Sequence, residues 1–589
     1  MCGIAGELRR DGRPDVDALR RMQDAMAPRG PDGDGLWAER RTGLAHRRLS
    51  IIDLSERGAQ PMVDPLLGLV IVFNGIIYNH RELRRELETA GHAFFSSSDT
   101  EVVLKAYAEW GERCVERFKG MFAFCVVHRE SGRAFLARDR LGVKPLYLAE
   151  ATGALRFASS LPALLAGGGV DTTVDPVALH HYLSFHSVVP APRTILAGVR
   201  KLPPATTLTV EPDGTRRERR YWRAEFERDP ARVDWSPAEW AEAVHGALRT
   251  AVERRMVSDV PVGVLLSGGL DSSLIVALLA ESGQSGLMTF SVGFGDVGGR
   301  EGNEFRYSNL VAERFGTDHR TFEVAEERML DALQRTILAM SEPMVSHDCV
   351  AFHLLSEEVA PHRKVVQSGQ GADEVFGGYY WYPPLAEASA ADGAGVYKRH
   401  FVDRPHAEMA EVLEARFRCD EDVSGAFVDA HFAEPGAATA VDRGLRIDAE
   451  VMLVDDPVKR VDNMTMAHGL EARTPFLDHD LVELAAAVPP ELKLAEGGKG
   501  ILKAAARGVV PDEVIDRPKG YFPVPALSHL EGGVLELACE TLTSSQRGIV
   551  RPAYVERLLA DPNGERTRLD GSKLWQVALL ELWLDAHVT

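Results

Sequence analysis

The sequence predicts a two-domain protein of the α/β and α+β classes, with packed sheets in its first part and a parallel sheet in its second. Three observations carry this expectation. At 589 residues the chain is too long for a single hydrophobic core. In the first part, short apolar runs broken by Gly, Pro and Asp read as strands. After residue 237, strands alternate with longer helical patterns, as in a parallel sheet covered by helices.

Residues 68–73, 121–127 and 134–137 are the clearest early strands, and residues 81–90 and 100–110 have helical spacing. A Pro-, Gly- and charge-rich stretch at 203–237 reads as the domain junction, giving domains over 1–210 and 235–589. Residues 238–255 then predict a helix and 260–266 a buried strand. From about residue 442 the pattern is mostly helical, and no internal repeat or low-complexity tract is present.

Hydrophobic residues make up 45% of the chain and charged residues 26%, the balance of an ordinary globular protein. A net charge of −20 disfavours nucleic acid and anionic membrane surfaces as partners. Any phosphate must therefore be held by a local device. The six cysteines include no C-x-x-C pair, which points to a reducing cytoplasm and away from a disulfide framework. The first ten residues contain no apolar signal core, and no run approaches membrane-spanning length.

The sharpest motif is Ser267-Gly268-Gly269-Leu270-Asp271-Ser272-Ser273, between a strand and a helix. Its glycines permit a tight turn, and backbone N–H groups at a helix N-terminus cradle phosphate. The Ser hydroxyls add donors, and the Asp271 carboxylate suits Mg²⁺. No Gly-Lys-Ser/Thr follows, so γ-phosphoryl transfer is disfavoured and splitting of ATP between its α and β phosphates is favoured. A second cluster, Ser368-Gly369-Gln370-Gly371-Ala372-Asp373-Glu374, also follows a strand, so that Asp373 could share the metal at neighbouring strand ends. Alone, either cluster also reads as an ordinary Gly-rich turn capping a helix. Lys499 and Lys503 lie in a basic, Gly-flanked segment, and each is either a solvated lysine or a phosphate contact.

At the other end, Cys2 follows the initiator Met1. Once Met1 is removed, the α-amine of Cys2 can act as general base to its own thiol. Arg47 and Arg48 offer guanidinium forks for a carboxylate, Asn74 and Gly75 the donors of an oxyanion hole, and Asp99 a seat for an ammonium. Separately these read as surface arginines, an Asn-Gly turn and a helix cap. Together they suit an α-amino acid whose side-chain carbonyl is attacked by a thiol.

The strings Cys2-Gly3-Ile4-Ala5-Gly6, Arg29-Gly30-Pro31-Asp32, His46-Arg47-Arg48-Leu49-Ser50-Ile51-Ile52-Asp53 and Phe73-Asn74-Gly75-Ile76-Ile77-Tyr78-Asn79 resemble an N-terminal-nucleophile glutaminase. Ser98-Asp99-Thr100-Glu101 and Arg138-Asp139-Arg140-Leu141-Gly142-Val143-Lys144-Pro145 continue that resemblance. The second part resembles the synthetase domain of glutamine-hydrolysing asparagine synthetases, through Ser267 to Ser273, Ser368 to Glu374 and Gly469-Leu470-Glu471-Ala472-Arg473-Thr474-Pro475-Phe476-Leu477-Asp478. The resemblance spans nearly the whole chain, in order.

It implies an αββα sandwich followed by a parallel-sheet, Rossmann-like ATP pyrophosphatase domain, with ammonia passing between two sites. By the resemblance, Cys2 is the nucleophile, Asn74 and Gly75 form the oxyanion hole, and Arg48 and Asp99 hold glutamine. Ser267, Gly269, Asp271 and Ser272 hold pyrophosphate, with Asp271 and Asp373 on Mg²⁺. Leu265, Val292, Ser368 and Gly369 border the nucleotide, and Lys499 contacts phosphate. The implied partners are small molecules (glutamine, ATP and a carboxylate acceptor), and the resemblance also suggests a homodimer.

Three departures concern specificity. Ile76 stands where a Glu commonly follows Asn-Gly, Gln370 replaces the Glu of Ser-Gly-Glu-Gly, and Ser341 to Val350, which contains His347, lacks the Thr and Arg pattern that suits a small dicarboxylate. The combination resembles the N-acetylglutaminylglutamine amidotransferases, helped by Val451 to Asn463 and Pro190-Ala191-Pro192-Arg193-Thr194. A neutral Gln370 could hydrogen-bond an amide side chain of such an acceptor. The alternatives are an asparagine synthetase acting on aspartate, a tRNA-modifying pyrophosphatase-loop enzyme, a β-lactam-forming relative and an inactive storage protein. The acidic charge argues against the second, and retention of Cys2, Asn74, Asp99, Asp271 and Asp373 against the last two.

Overall fold

In the computed structural model, the structure describes residues 2–294, 303–325, 328–518 and 529–588. The strands expected at 68–73, 121–127 and 134–137 belong to a set of twelve that ends at residue 220: β1 (Gly3–Arg9), β2 (Gly33–Glu39), β3 (Thr42–Arg48), β4 (Met62–Asp64), β5 (Leu69–Ile77), β6 (Gly120–His128), β7 (Ala134–Arg138), β8 (Tyr147–Ala151), β9 (Ala154–Ala158), β10 (Val199–Lys201), β11 (Thr206–Val210) and β12 (Arg216–Arg220). They form two antiparallel six-stranded sheets, ordered β10-β8-β9-β1-β3-β2 and β12-β11-β7-β6-β5-β4.

The two sheets pack face to face because their strands are apolar on both sides. On β5, Val70 and Val72 meet Ile4, Leu44 and Phe157 of the first sheet. Ile71 and Phe73, alternating with them, face Leu83 and Val103 of the helices His80–Thr89 and Asp99–Trp110. The helices Val16–Ala25 and Leu161–Gly167 cover the outer face of the first sheet through Leu19, Met22 and Leu164. The layering is therefore helix, sheet, sheet, helix.

The stretch 203–237 is not simply a linker. It contains the β11–β12 hairpin, which completes the second sheet beyond residue 210. Strand β12 carries Arg216, Arg217, Arg219 and Arg220 and no apolar alternation. They pair with Glu150, Glu112, Glu116 and Glu450, as suits a charged edge strand, and this composition is what reads as a linker.

The second part begins with the helix Pro237–Arg254, opened by a Ser236–Glu239 capping box. A parallel sheet follows, from β13 (Val262–Leu265), β14 (Met288–Phe294), β15 (Asp318–Val324), β16 (Val365–Gln367) and β17 (Glu471–Arg473), in the order β15-β14-β13-β16-β17. Helices dominate after residue 442, including a π-helical stretch at Asp448–Met452 and Val454–Val458 around Pro457 that runs into the helix Lys459–Met466. No helix among the described residues is long and apolar enough to cross a membrane.

Buried charge joins the two parts. Asp462 receives Arg29 Nη1 at 2.9 Å and Lys144 Nζ at 3.3 Å, all three nearly water-free. Burial alone would raise the Asp462 carboxyl, but the Arg29 and Lys144 cations bring it below its usual value. Lys201, also buried, reaches Asp455 at 2.6 Å and Glu342 at 3.1 Å, while nearer the surface the partly exposed Lys119 reaches Asp480 at 2.7 Å.

Because the folded-state pKa of Asp462 is depressed, its contribution to stability is complete above the unfolded value of about 3.9 and is lost as pH falls below it. Asp462→Asn leaves two buried cations facing a neutral amide and is expected to cost about 3–5 kcal/mol. Urea titrations test this: the variant should melt at lower urea at pH 7, with a shallower loss below about pH 4 than the wild type. Superimposable midpoints would refute it.

Candidate active site

Two sites take shape, one in the sandwich and one at the C-terminal ends of the parallel strands. In the first, Cys2 directly precedes β1, and its backbone N–H donates to Asn74 Oδ1 at 3.0 Å. Asn74 and Gly75 lie on β5, paired with Ala123 and Phe122 of β6. A Cβ on Gly75 would sit 2.2 Å from the Met121 carbonyl oxygen, so only glycine allows the two strands to approach there. Asp99 opens its helix just after the cap Ser98, and its Oδ2 accepts the Ile77 N–H at 3.0 Å. Arg48 Nη1 donates to the Ser55 carbonyl at 2.9 Å and Nη2 to the Asp53 carbonyl, which fixes its fork.

Cys2, Arg48, Gly75 and Asp99 line one pocket, together with Ile76 and Glu471. Arg47 is not among them. Its side chain leaves the opposite face of β3 and is held by the Gln23 carbonyl at 3.1 Å and by Asp24, so only one of the two candidate arginines serves the site. Met1 lies outside the described residues.

The charges around the pocket are unequal. Burial pushes the Cys2 thiol up, the Glu471 charge adds to this and Arg48 opposes it. Burial likewise raises the Asp99 carboxyl, and Glu471 adds to it. Burial works against the Glu471 carboxylate too, but cations that include Arg473 and Lys144 hold it at about 2. Glu471 belongs to β17 of the second part, so it was not assigned a role from sequence: nothing in the spacing of the N-terminal motifs points to a residue some 400 positions away.

At the second site, β13 lies between β14 and β16, in parallel register with both. This brings the loop after Leu265 beside the loop after Gln367, as the two motifs predict, and places Val292 of β14 on the neighbouring strand. The first loop is already ordered by its own groups. Ser267 Oγ lies 3.1 Å from Ser272 Oγ, and Gly269 N–H donates to Ser267 Oγ at 3.3 Å. Gly269 caps the helix Leu270–Glu281, whose N-terminus opens onto the loop. Arg517 Nη1 donates to the Gly268 carbonyl at 3.2 Å, a support missing from the sequence reading.

A Cβ on Gly369 would lie 3.0 Å from Asp271 Cβ and 3.2 Å from Ser272 N, so this glycine lets the two loops touch. Ser368 N–H donates to the Arg473 carbonyl at 2.8 Å. Lys499 Nζ stands between Asp271 Oδ2 at 2.7 Å and Asp373 Oδ1 at 3.0 Å. Burial alone would lower the Lys499 ammonium, but the Asp271 and Asp373 charges raise it above its ordinary value. Lys503 turns away to the Glu496 carbonyl and takes no part.

In the region that the sequence links to an acceptor, Gln370 is half-buried on the second loop. Next to that loop, Tyr379 donates to Glu374 Oε1 at 2.6 Å, and burial, then the Asp373 charge, raise the Glu374 carboxyl. His347 precedes the helix Asp348–Val359. Burial, then His186, bring its imidazole down to about 4. Its neighbour Ser346 accepts from Arg460, which also pairs with Asp456 at 3.3 Å and Asp348 at 3.6 Å. Among the described residues no hydrogen bond joins His347 to Gln370.

A thiol pocket that carries Arg48 and Asp99 in one part of the chain, and two touching Gly-rich loops with paired carboxylates in the other, are the two candidate sites. The glutamine amidotransferase domain model matches residues 1–222 and the asparagine synthase model residues 243–585. Glutamine-hydrolyzing asparagine synthetase 1 of Bacillus subtilis (strain 168) is 31% identical, covering 100% of this chain and 97% of its own length. Glutamine-hydrolyzing asparagine synthetase B of Escherichia coli (strain K12) is 29% identical over 89% of this chain and 82% of its own length. The solved glutamine phosphoribosylpyrophosphate amidotransferase of B. subtilis, complexed with ADP and GMP, is 16% identical, with a TM-score of 0.29 over 49% of this chain and 65% of that one. The chain belongs to the asparagine synthase family, as a class II glutamine amidotransferase joined to an ATP-dependent, amide-forming ligase domain.

A Cβ on Gly378 would fall 1.9 Å from Asp373 Oδ1 and 2.5 Å from Lys499 Cε. Gly378→Ala should therefore weaken ATP binding by about tenfold or more, since the added Cβ displaces the Asp373 carboxylate that would hold the nucleotide's cation. Glutamine hydrolysis should persist. Calorimetric ATP titration and a glutamate-release assay on the same preparation check the split, and unchanged ATP affinity would refute it.

Proposed function

We propose that this ligase transfers glutamine-derived ammonia to the carboxylate of N-acetylglutaminylglutamine. Glutamine enters the pocket with its α-carboxylate on Arg48 and its ammonium on Asp99. With Met1 removed, the Cys2 amine takes the thiol proton, and the thiolate attacks the side-chain carbonyl. The Asn74 side-chain amide and the Gly75 N–H stabilise the oxyanion. Ammonia leaves the tetrahedral intermediate, and water later hydrolyses the thioester to glutamate.

At the second site the acceptor carboxylate attacks the α-phosphorus of ATP, giving an acyl-adenylate and pyrophosphate. The Ser267 and Ser272 hydroxyls, the Gly269 N–H and the helix N-terminus hold pyrophosphate, with Leu265, Val292, Ser368 and Gly369 bordering the nucleotide. The geometry suits a hard cation, because the Asp271 and Asp373 carboxylates already converge on one positive centre, the Lys499 ammonium. Those two residues would hold Mg²⁺, which when bound neutralises phosphate oxygens. Ammonia then attacks the acyl carbon and AMP departs.

The observation that carries the acceptor reading is Gln370. It is half-buried on the loop that bears Asp373, a neutral amide where the resemblance leads one to expect a carboxylate. An uncharged donor–acceptor group favours an acceptor rich in amides over a small dianion. Aspartate is the second reading, favoured by the names of the relatives.

AMP and pyrophosphate release with glutamine, ATP and Mg²⁺ separates them: the dipeptide should drive turnover, and L-aspartate should not. Turnover with aspartate and none with the dipeptide would make the enzyme an asparagine synthetase. Cys2→Ala should abolish glutamine-driven amidation, by a factor on the order of 10³ or more, yet leave amidation with added ammonium salt within about twofold. Equal loss of both activities would sink the assignment of Cys2.

A further inference from the structure

Lys499 sits on an unusual piece of backbone. Glu496, Gly497, Gly498 and Lys499 have φ of +53°, +78°, +105° and +56°, four consecutive residues in the left-handed region. Two of them are not glycine and are strained there. The segment is tied from both sides. Lys503 Nζ donates to the Glu496 carbonyl, Gly498 N–H to the Ala495 carbonyl at 3.1 Å and Lys503 N–H to the Lys499 carbonyl at 2.8 Å. The contorted turn delivers the Lys499 side chain past Gly378, whose missing Cβ leaves room for it, to the two carboxylates at 2.7 and 3.0 Å.

These are the carboxylates that the proposed reaction gives to the divalent cation, and the inference rests on that reading. An ammonium and a divalent cation repel at such distances in this partly buried site, and they compete for the same oxygen lone pairs. We propose that the Lys499 ammonium is the resident counter-cation of the metal site, so that Lys499 and a divalent cation are alternative partners of Asp271 and Asp373.

Two consequences follow for the nucleotide site. Before loading, the pair of acids is partly neutralised by the protein's own lysine, which lets them approach each other and discourages capture of a stray divalent ion. On loading, the metal displaces the ammonium from between the acids. Its backbone is anchored at the head of the helix Gly500–Ala506, so the freed charge stays near and turns to the phosphates brought by the same nucleotide. Lys499 is thus delivered to phosphate only when the metal is in place.

The test is Mn²⁺ binding to the nucleotide-free full-length protein, followed by electron paramagnetic resonance of the free ion. Lys499→Met should bind Mn²⁺ at least about tenfold more tightly than the wild type, and Lys499→Arg should bind it as weakly as the wild type. Adding Asp373→Asn to Lys499→Met should abolish the gain. In the wild type, acetylation of Lys499 by an amine-reactive ester, read by mass spectrometry, should rise as Mn²⁺ is added, which keeps the idea testable if Lys499→Met fails to fold. A Lys499→Met protein that binds Mn²⁺ no more tightly, or Lys499 acetylation indifferent to Mn²⁺, would overturn the proposal. Pyrophosphate release by the wild type is measured separately. Turnover with no Mn²⁺ effect rejects the counter-cation role alone, and an Mn²⁺ effect without turnover rejects the reaction alone.

Discussion

A carboxylate or ammonium removed from water must find a partner of opposite charge, and in this chain several partners lie in the other domain. Asp462 of the synthetase part is compensated by Arg29 and Lys144 of the sandwich. Glu342 and Asp455 are compensated by Lys201 as well as by Lys459 of their own part. Such pairs add little net stability over an apolar interface, because desolvation offsets most of the attraction. Their effect is on register, since a domain that rotated or slid would strand buried charge. The same constraint reaches the chemistry. Arg29 also donates to the Cys2 carbonyl at 3.4 Å, and Glu471 closes the wall of the Cys2 pocket. The Cys2 pocket is therefore completed by the second domain rather than merely tethered to it.

Within the ligase domain, the order β15-β14-β13-β16-β17 performs the corresponding task. With β13 in the middle, both Gly-rich loops emerge at adjacent strand ends, where ligands bind in open parallel sheets. Strand β17, on the far side of β16, holds the second loop through the Arg473 carbonyl and presents Glu471 to the thiol pocket two residues earlier. One three-residue strand thus touches both the second Gly-rich loop and the thiol pocket.

What was legible in the sequence was local. The phosphate-type loop declares itself through spacing, because helix N-terminus, glycines and hydroxyls must be neighbours in the chain to work. Strands β5 and β6 read correctly because both of their faces are apolar, which makes an unbroken run. Strand β12 was lost in a supposed junction because an arginine-rich edge has no apolar signal. From residue type alone Arg47 and Arg48 are equivalent, and the resemblance implies Arg48; the pleat, which sends neighbours to opposite faces, gives the physical reason. Glu471, Arg517 and the Lys499 contacts could not be read at all, since they join residues hundreds of positions apart.

The acid excess of the whole chain gives these local arrangements their meaning. With a net charge of −20, the protein's long-range field repels a triphosphate, so attraction must be short-ranged and oriented. The loop at 267–272 meets this need with N–H groups, hydroxyls and a helix N-terminus, which carry no net charge and are arranged before the ligand arrives. Its serines bond to one another and to Gly269, so phosphate binding there would exchange one set of hydrogen bonds for another. At the meeting point of the two loops, Asp271 and Asp373 face Lys499 with opposite signs within 3.0 Å. On the proposed reading, Gln370 extends the same logic toward the acceptor. There, a third carboxylate beside Asp373 and Glu374 would add repulsion to a negatively charged acceptor approaching an anionic phosphate, and a neutral amide avoids it while keeping the capacity to hydrogen-bond.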